Sequence, residues 1–253
     1  MSMEHADVSR EEGDPPLVPG LPSWVPEWSM KGTPRYYPWW MYSAGGTTSD
    51  QCEVDTFTNH GTTLHLTGLA TDTVSSRWSV PELNPYLRNL VTFAKVEEKL
   101  FPQTTYGSSA ARLLAIQRTI CIGLAYNYDM ETTTGYIWSR WSERPGFTDI
   151  AKRCFEGTLD PSDNDYSTYV DPKDTDMVLV FGHGHIGLGR EHVQPGDVAV
   201  IFPGVSIPFI LRKRSDGTAY QVISPAYLDG MMNGEAIQAS DKHDWSELSF
   251  EID

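Results

Sequence analysis

Three histidines, His183, His185 and His192, lie close together, and the first two flank one glycine in Gly182-His183-Gly184-His185. In an extended segment residues two apart project on the same face, so both imidazoles can meet one ion. Glu191 is the acid beside them, and no cysteine pattern or carboxylate at ligand spacing completes a site, so no metal is expected. Three readings stay open: structural or exposed histidines, a metal centre, and general acid–base work, which suits a group that titrates near neutral pH. His185 is the histidine assigned to catalysis, with Tyr227 and Glu235 further along the chain. Glu235 follows Asn233-Gly234 and can equally anchor a buried turn. Asp197, after Pro195-Gly196, is expected to cap its own turn by accepting backbone N–H bonds.

The other chemical resource is aromatic. Tyr36, Tyr37, Trp39, Trp40 and Tyr42 put five large rings into seven positions, more than one strand face hides in a core. Some are expected to line a cavity or an interface, although a packed strand with one wet face is also open. Trp39, Trp40 and Tyr42, with Trp138 and Phe209, are the candidate lining residues of an apolar pocket. Such a pocket binds hydrophobic small molecules by shape, with a few polar groups fixing orientation. It can also catalyse, because holding a flexible polyene in its reactive fold contributes up to about 7–11 kcal/mol in the best-oriented cases. One or two hydrogen bonds to a carbonyl then stabilise developing charge.

Standard signatures are absent. The chain has no G-x-S-x-G elbow, no P-loop and no H-E-x-x-H. The glycines after Gly182 are followed by Pro195 and a strand, where a dinucleotide fingerprint needs a helix. No cofactor is expected.

The elements that must position these residues follow from composition and pattern. The chain has 253 residues, 40% hydrophobic and 11% aromatic, enough for a real core. Its formal charge of −15 repels phosphate backbones and anionic lipid, so neither nucleic acid nor membrane is an expected partner. No apolar run reaches membrane-spanning length. Three widely spaced cysteines, Cys52, Cys121 and Cys154, suit buried thiols in a reducing compartment, and a cytoplasmic location is expected.

Residues 1–22 read as a disordered acidic and proline-rich tail, and 23–253 as one β-rich domain. Thr63 to Ala70 alternates with period two, and Thr71 to Trp78 continues it until Pro81. Helical spacing covers residues 85–100 and Ala110 to Tyr126, the latter capped by Ser108-Ser109, with a further short helix at 149–155. Residues 157–176 read as an acidic surface loop. Strands are expected at 177–181, 198–202, 208–212, 220–224 and 227–232, while Gly182, Gly184, Gly187 and Gly189 punctuate a bend between the first two. The fold class is α+β: a β-barrel or sandwich of mostly antiparallel strands with a helical insertion at about 82–156.

An ordered series runs through the late segment: His185-Ile186-Gly187-Leu188-Gly189, then Gln194-Pro195-Gly196-Asp197, Pro208-Phe209-Ile210-Leu211-Arg212, and Tyr227-Leu228-Asp229-Gly230-Met231-Met232-Asn233-Gly234-Glu235-Ala236. It resembles the C-terminal region of fungal heterokaryon-incompatibility (HET) proteins, and Pro22-Ser23-Trp24-Val25-Pro26-Glu27-Trp28 is similar to the entry to that region. Two departures stand out. His185 takes the place of an aromatic and Arg190 that of a proline, and the family's N-terminal HET domain is expected to have no counterpart.

A copy without its signalling domain is expected to have been recruited elsewhere, and the resemblance implies cyclases of terpenoid products as one destination. The leading expectation is therefore a cofactor-independent cyclase of fungal natural-product biosynthesis. It would fold an apolar terpenoid or polyketide for an intramolecular [4+2] cyclisation of the Diels–Alder type. The alternative is a non-enzymatic recognition or regulatory module of the incompatibility type. The expected partner is an apolar small molecule, with a homodimer as a further option.

Overall fold

The computed structural model describes residues 22–23, 41–46, 54–58, 62–79, 82, 99–101, 105–120, 122–128, 136–140, 176–217, 219–239 and 246–253. The readings at 1–21, 36–40, 149–155 and 157–175, and the cysteines, lie outside them. So does the reading at 85–100, apart from 99 and 100.

One strand organises the rest. β2 (Thr63–Ser79) has 17 residues, and its length lets both of its edges pair with different partners over different stretches. β1 (Val54–Thr58) pairs with its start, β11 (Ser246–Ile252) with residues 64–70, β7 (Val198–Ile201) with 69–73, and β5 (Asp176–Phe181) with 74–79. β7 continues through β8 (Phe209–Lys213) and β9 (Tyr220–Pro225) to β11, which returns to β2. These five strands thus form a closed ring of pairings. From the far end of β2, β5, β6 (Ile186–Arg190) and β10 (Tyr227–Leu228) extend outward. The result is one nine-stranded sheet. It is antiparallel at each junction except β11–β9, where Ile252 faces Tyr220.

Both faces of β5, β6 and β7 are buried, which is why β5 and β7 read as continuous apolar runs. Along β5, Val178 and Val180 enter one core cluster while Leu179 and Phe181 enter another. Phe202 anchors the first cluster, edge-on to Phe250 at 5.9 Å and tilted against Phe209 at 6.4 Å. Leu69, Ile201, Ile210 and Met231 fill the second.

Three expectations change. Gly187 and Gly189 do not punctuate a bend; they sit inside β6. A Cβ at Gly187 would lie 2.5 Å from the Tyr227 carbonyl oxygen, and one at Gly189 would lie 2.9 Å from the Leu179 side chain. Close backbone approach is their role. The strand expected at 227–232 is two residues long, because Gly230 turns it at a φ of 84°.

The helix expected to reach Tyr126 is α1 (Ser109–Ile120) and stops six residues sooner. The Gly123 N–H donates to the Arg118 carbonyl and the Ile122 N–H to that of Thr119, a Schellman closure. Ile122 takes the left-handed position at a φ of 48°, unusual for a β-branched residue. A hairpin follows, β3 (Leu124–Tyr128) with β4 (Tyr136–Arg140). The described part of 82–156 therefore holds strands as well as helix. After β10, the short helix α2 (Glu235–Ala239) precedes β11. Among the described residues no helix is long and apolar enough to cross a membrane.

Candidate functional site

The bulge in β2 creates the first polar centre. Its pairing with β7 slips between Ala70 and Asp72, leaving Thr71 as the extra residue. The Thr71 hydroxyl donates to the Ala199 carbonyl, and the Asp72 carboxylate is turned into the structure. The β5–β6 turn closes over it. Asp72 accepts the Thr73 amide at 2.8 Å and the His183 amide at 3.1 Å. His183 Nδ1 lies 3.1 Å from one carboxylate oxygen and His185 Nδ1 lies 3.3 Å from the other. Burial raises the Asp72 carboxyl, but the bonds from His185, Thr73 and His183 outweigh it. The group ends below its usual value and charged.

The two imidazoles each take a different oxygen, so they do not converge on a single point. Among the described residues no three histidine, cysteine or acidic side chains are grouped to hold a metal ion. The third histidine acts through its backbone, since the His192 carbonyl accepts Arg212 Nη2 at 2.7 Å.

The second centre joins α1 to β10. Arg118, in the last turn of α1, donates Nε and Nη2 to the two oxygens of Asp229 at 2.8 and 2.6 Å, a bidentate pair. The Tyr227 hydroxyl adds a bond to Asp229 at 3.2 Å. The Tyr42 ring meets Tyr227 edge-on at 6.1 Å, and its hydroxyl donates to the carbonyl of the strained Ile122. Burial pushes the Tyr227 phenol well above its ordinary value, and the Asp229 charge pushes the same way. Tyr106 responds likewise, for the same two reasons. The Asp229 bond holds the Arg118 guanidinium all the more firmly charged. This centre holds a fixed charge pair and three phenols, of which Tyr227 and Tyr106 are kept neutral.

The structure thus brings Tyr42 and Tyr227 together and sets His185 in the other centre. Glu235 is exposed and accepts the Asn233 amide at 2.6 Å, the turn-anchoring arrangement. Phe209 is wholly buried beside Phe202. Trp138 stands on β4 opposite Tyr126, and Trp39 and Trp40 lie outside the described residues. Asp197 caps its turn as expected by accepting the Gln194 amide at 2.8 Å, and it also binds Arg212. Sequence reasoning missed Asp72 and Arg118, which are remote in the chain from the groups they bind.

Part of each centre falls within a segment with known relatives. Residues 163–247 match the Het-6 β-barrel domain. The HET-like C-terminal region expected from the late motifs is therefore present, spanning β5 to β10, α2 and the first residues of β11. Over 66 residues the chain is 36% identical to heterokaryon incompatibility protein 6, OR allele, of Neurospora crassa. That alignment covers 25% of this chain and 10% of the Neurospora protein, so the chain spans about a tenth of that relative's length. No solved structure matches it. His183, His185, Tyr227 and Asp229 lie inside the matched segment, whereas Asp72 and Arg118 lie outside it.

Proposed function

We propose that this chain is a non-enzymatic recognition or regulatory module of the heterokaryon-incompatibility type. The observation that carries the reading is the Het-6 match over 163–247, which takes in both edges of the β5–β6 hairpin and the Tyr227–Asp229 turn. The geometry supports it. The acids and phenols of the two centres are engaged with neighbours in the fold, as suits groups that shape a surface. Phe209, a candidate pocket wall, is core. β2 and α1, outside the match, supply the residues that fix the matched hairpin and turn in place, so the module works as one body with its flanking elements.

The test is expression of the full chain in Neurospora crassa strains that differ in their heterokaryon-incompatibility alleles, with vital-dye uptake scoring compartment death. Allele-dependent death or growth arrest is the expected result. Equal growth in all backgrounds, together with turnover of an apolar polyene by the purified protein, would overturn the proposal in favour of the cyclase.

A further inference from the structure

Asp72, Asp176, Asp197 and Asp229 are buried. Three of them face an arginine: Asp176 lies 3.1 Å from Arg190, Asp197 lies 2.8 Å from Arg212, and Asp229 lies 2.6 Å from Arg118. A guanidinium keeps its charge at any pH a cell reaches, so those pairs are permanent. Asp72 differs. Its two oxygens face His185 and His183, whose ring charge depends on pH.

The surrounding elements bring no other countercharge to this carboxylate among the described residues. β7 sets Ala199 opposite Asp72 and Val198 opposite Thr73, and the adjacent Asp197 is held by Arg212. In the β5–β6 hairpin the charged pair Asp176–Arg190 sits at the end away from the turn. Asp229, whose amide donates to the Ile186 carbonyl, is held by Arg118.

We infer that Asp72, His183 and His185 form a proton-operated clasp, in which protonated imidazoles fasten the β5–β6 turn onto the β2 bulge and deprotonation loosens it. This goes beyond the recognition role and does not rest on it. A charged donor makes a shorter and stronger bond to a carboxylate than a neutral one. His185, with its side chain 19% exposed, carries the larger share; His183, 67% exposed, is screened by solvent. The release is local. β5 and β6 pair with each other up to Val180 and Ile186, and β2 pairs with β5 from Val74 onward, so the sheet survives when the turn lifts. What the clasp governs is the bond from the Gly182 amide to the Thr73 carbonyl, and that from the His183 amide to Asp72.

Amide hydrogen exchange followed by NMR on the full chain at pH 5.5, 6.5 and 7.5, corrected for intrinsic rates, tests the clasp. Protection at the Gly182 and His183 amides should fall about five- to tenfold from pH 5.5 to 7.5, while the Val178 and Leu188 amides stay level. The double variant His183→Gln, His185→Gln leaves the buried carboxylate in place and should flatten the profile. Wild-type protection that is level with pH would overturn the proposal, as would the same slope in the double variant. A level profile that gains protection on adding zinc would also overturn it, replacing the proton with a bound cation. Asp72→Asn should flatten the profile too, and the histidine variants decide the matter if it does not fold.

Discussion

The Asp229 and Asp72 centres solve the same problem with different partners. Each buries a carboxylate contributed or gripped by a turn, and each ties that turn to an element distant in sequence. At Asp229 the partner is Arg118, and Tyr227 supplies a third bond. At Asp72 the partners are two imidazoles and two backbone amides. A guanidinium fork fixes geometry and charge together. Imidazoles fix geometry but leave the charge to the solution. The first centre is thus a permanent joint between α1 and β10, and the second a conditional one between β2 and the β5–β6 turn. In a recognition module the conditional joint is the place where surface shape can respond to its surroundings.

The contrast breaks most visibly at Asp229. Asp229→Ala strips Arg118 of its partner, removes the Tyr227 acceptor and loosens the end of α1, where Ile122 is already strained. Removing one member of a buried pair costs about 3–5 kcal/mol, and the partial exposure of Arg118 places the expected loss near the lower end. Urea denaturation at pH 7 measures it. The same loss should appear at pH 5.5, because the Arg118 guanidinium stays charged over that range.

Asp72→Asn should cost less, about 1–2 kcal/mol, because amide donors and one ring nitrogen still find an acceptor. Its signature is pH dependence. The folded carboxyl lies below its ordinary value of 3.8, so its contribution is complete above that value and disappears only as pH falls through the lower folded value. The advantage of the wild type over Asp72→Asn should therefore be full above pH 3.8 and shrink as pH falls through the lower folded value. Paired denaturation curves from neutral pH down to about 3 would show that loss, and a constant difference would erase the distinction between the two centres.

Much of the sheet was legible because period-two alternation survives in one dimension. β2 announced itself from Thr63 to Trp78, and β5, β7, β8 and β9 came with their turns. β11 carries the same signal in Leu248, Phe250 and Ile252, two of them buried. β6 was hidden by its glycines, whose value lies in how close Tyr227 and Leu179 come. The end of α1 was hidden because an isoleucine took a position that usually announces itself as glycine. The site was legible by halves. His185 and Tyr227 could be named from their motifs, but Asp72 and Arg118 each lie about 110 residues from the groups they bind. Only the bulge in β2 and the packing of α1 bring them there, and neither leaves a local trace.

A finer comparison uses single hydroxyls. Tyr227→Phe removes one donor to Asp229 and leaves the Arg118 pair intact, so about 1 kcal/mol should be lost. Tyr42→Phe leaves the Ile122 carbonyl without that donor and should cost a similar amount, through the strained end of α1. If both losses exceed that of Asp229→Ala, the phenols and not the ion pair hold the joint.

The smallest effect should come from His183→Gln. Its ring is mostly in solvent, and exposed ion pairs are worth about 0–1 kcal/mol, so global stability should stay within about 0.5 kcal/mol of wild type. Its amide bond to Asp72 belongs to the backbone and survives the substitution. His185→Gln, which removes the less exposed of the two rings, should cost more than His183→Gln at pH 5.5. Equal costs at pH 5.5 would mean that burial does not decide which imidazole carries the joint, and the conditional centre would then be shared evenly between two exposed-type contacts.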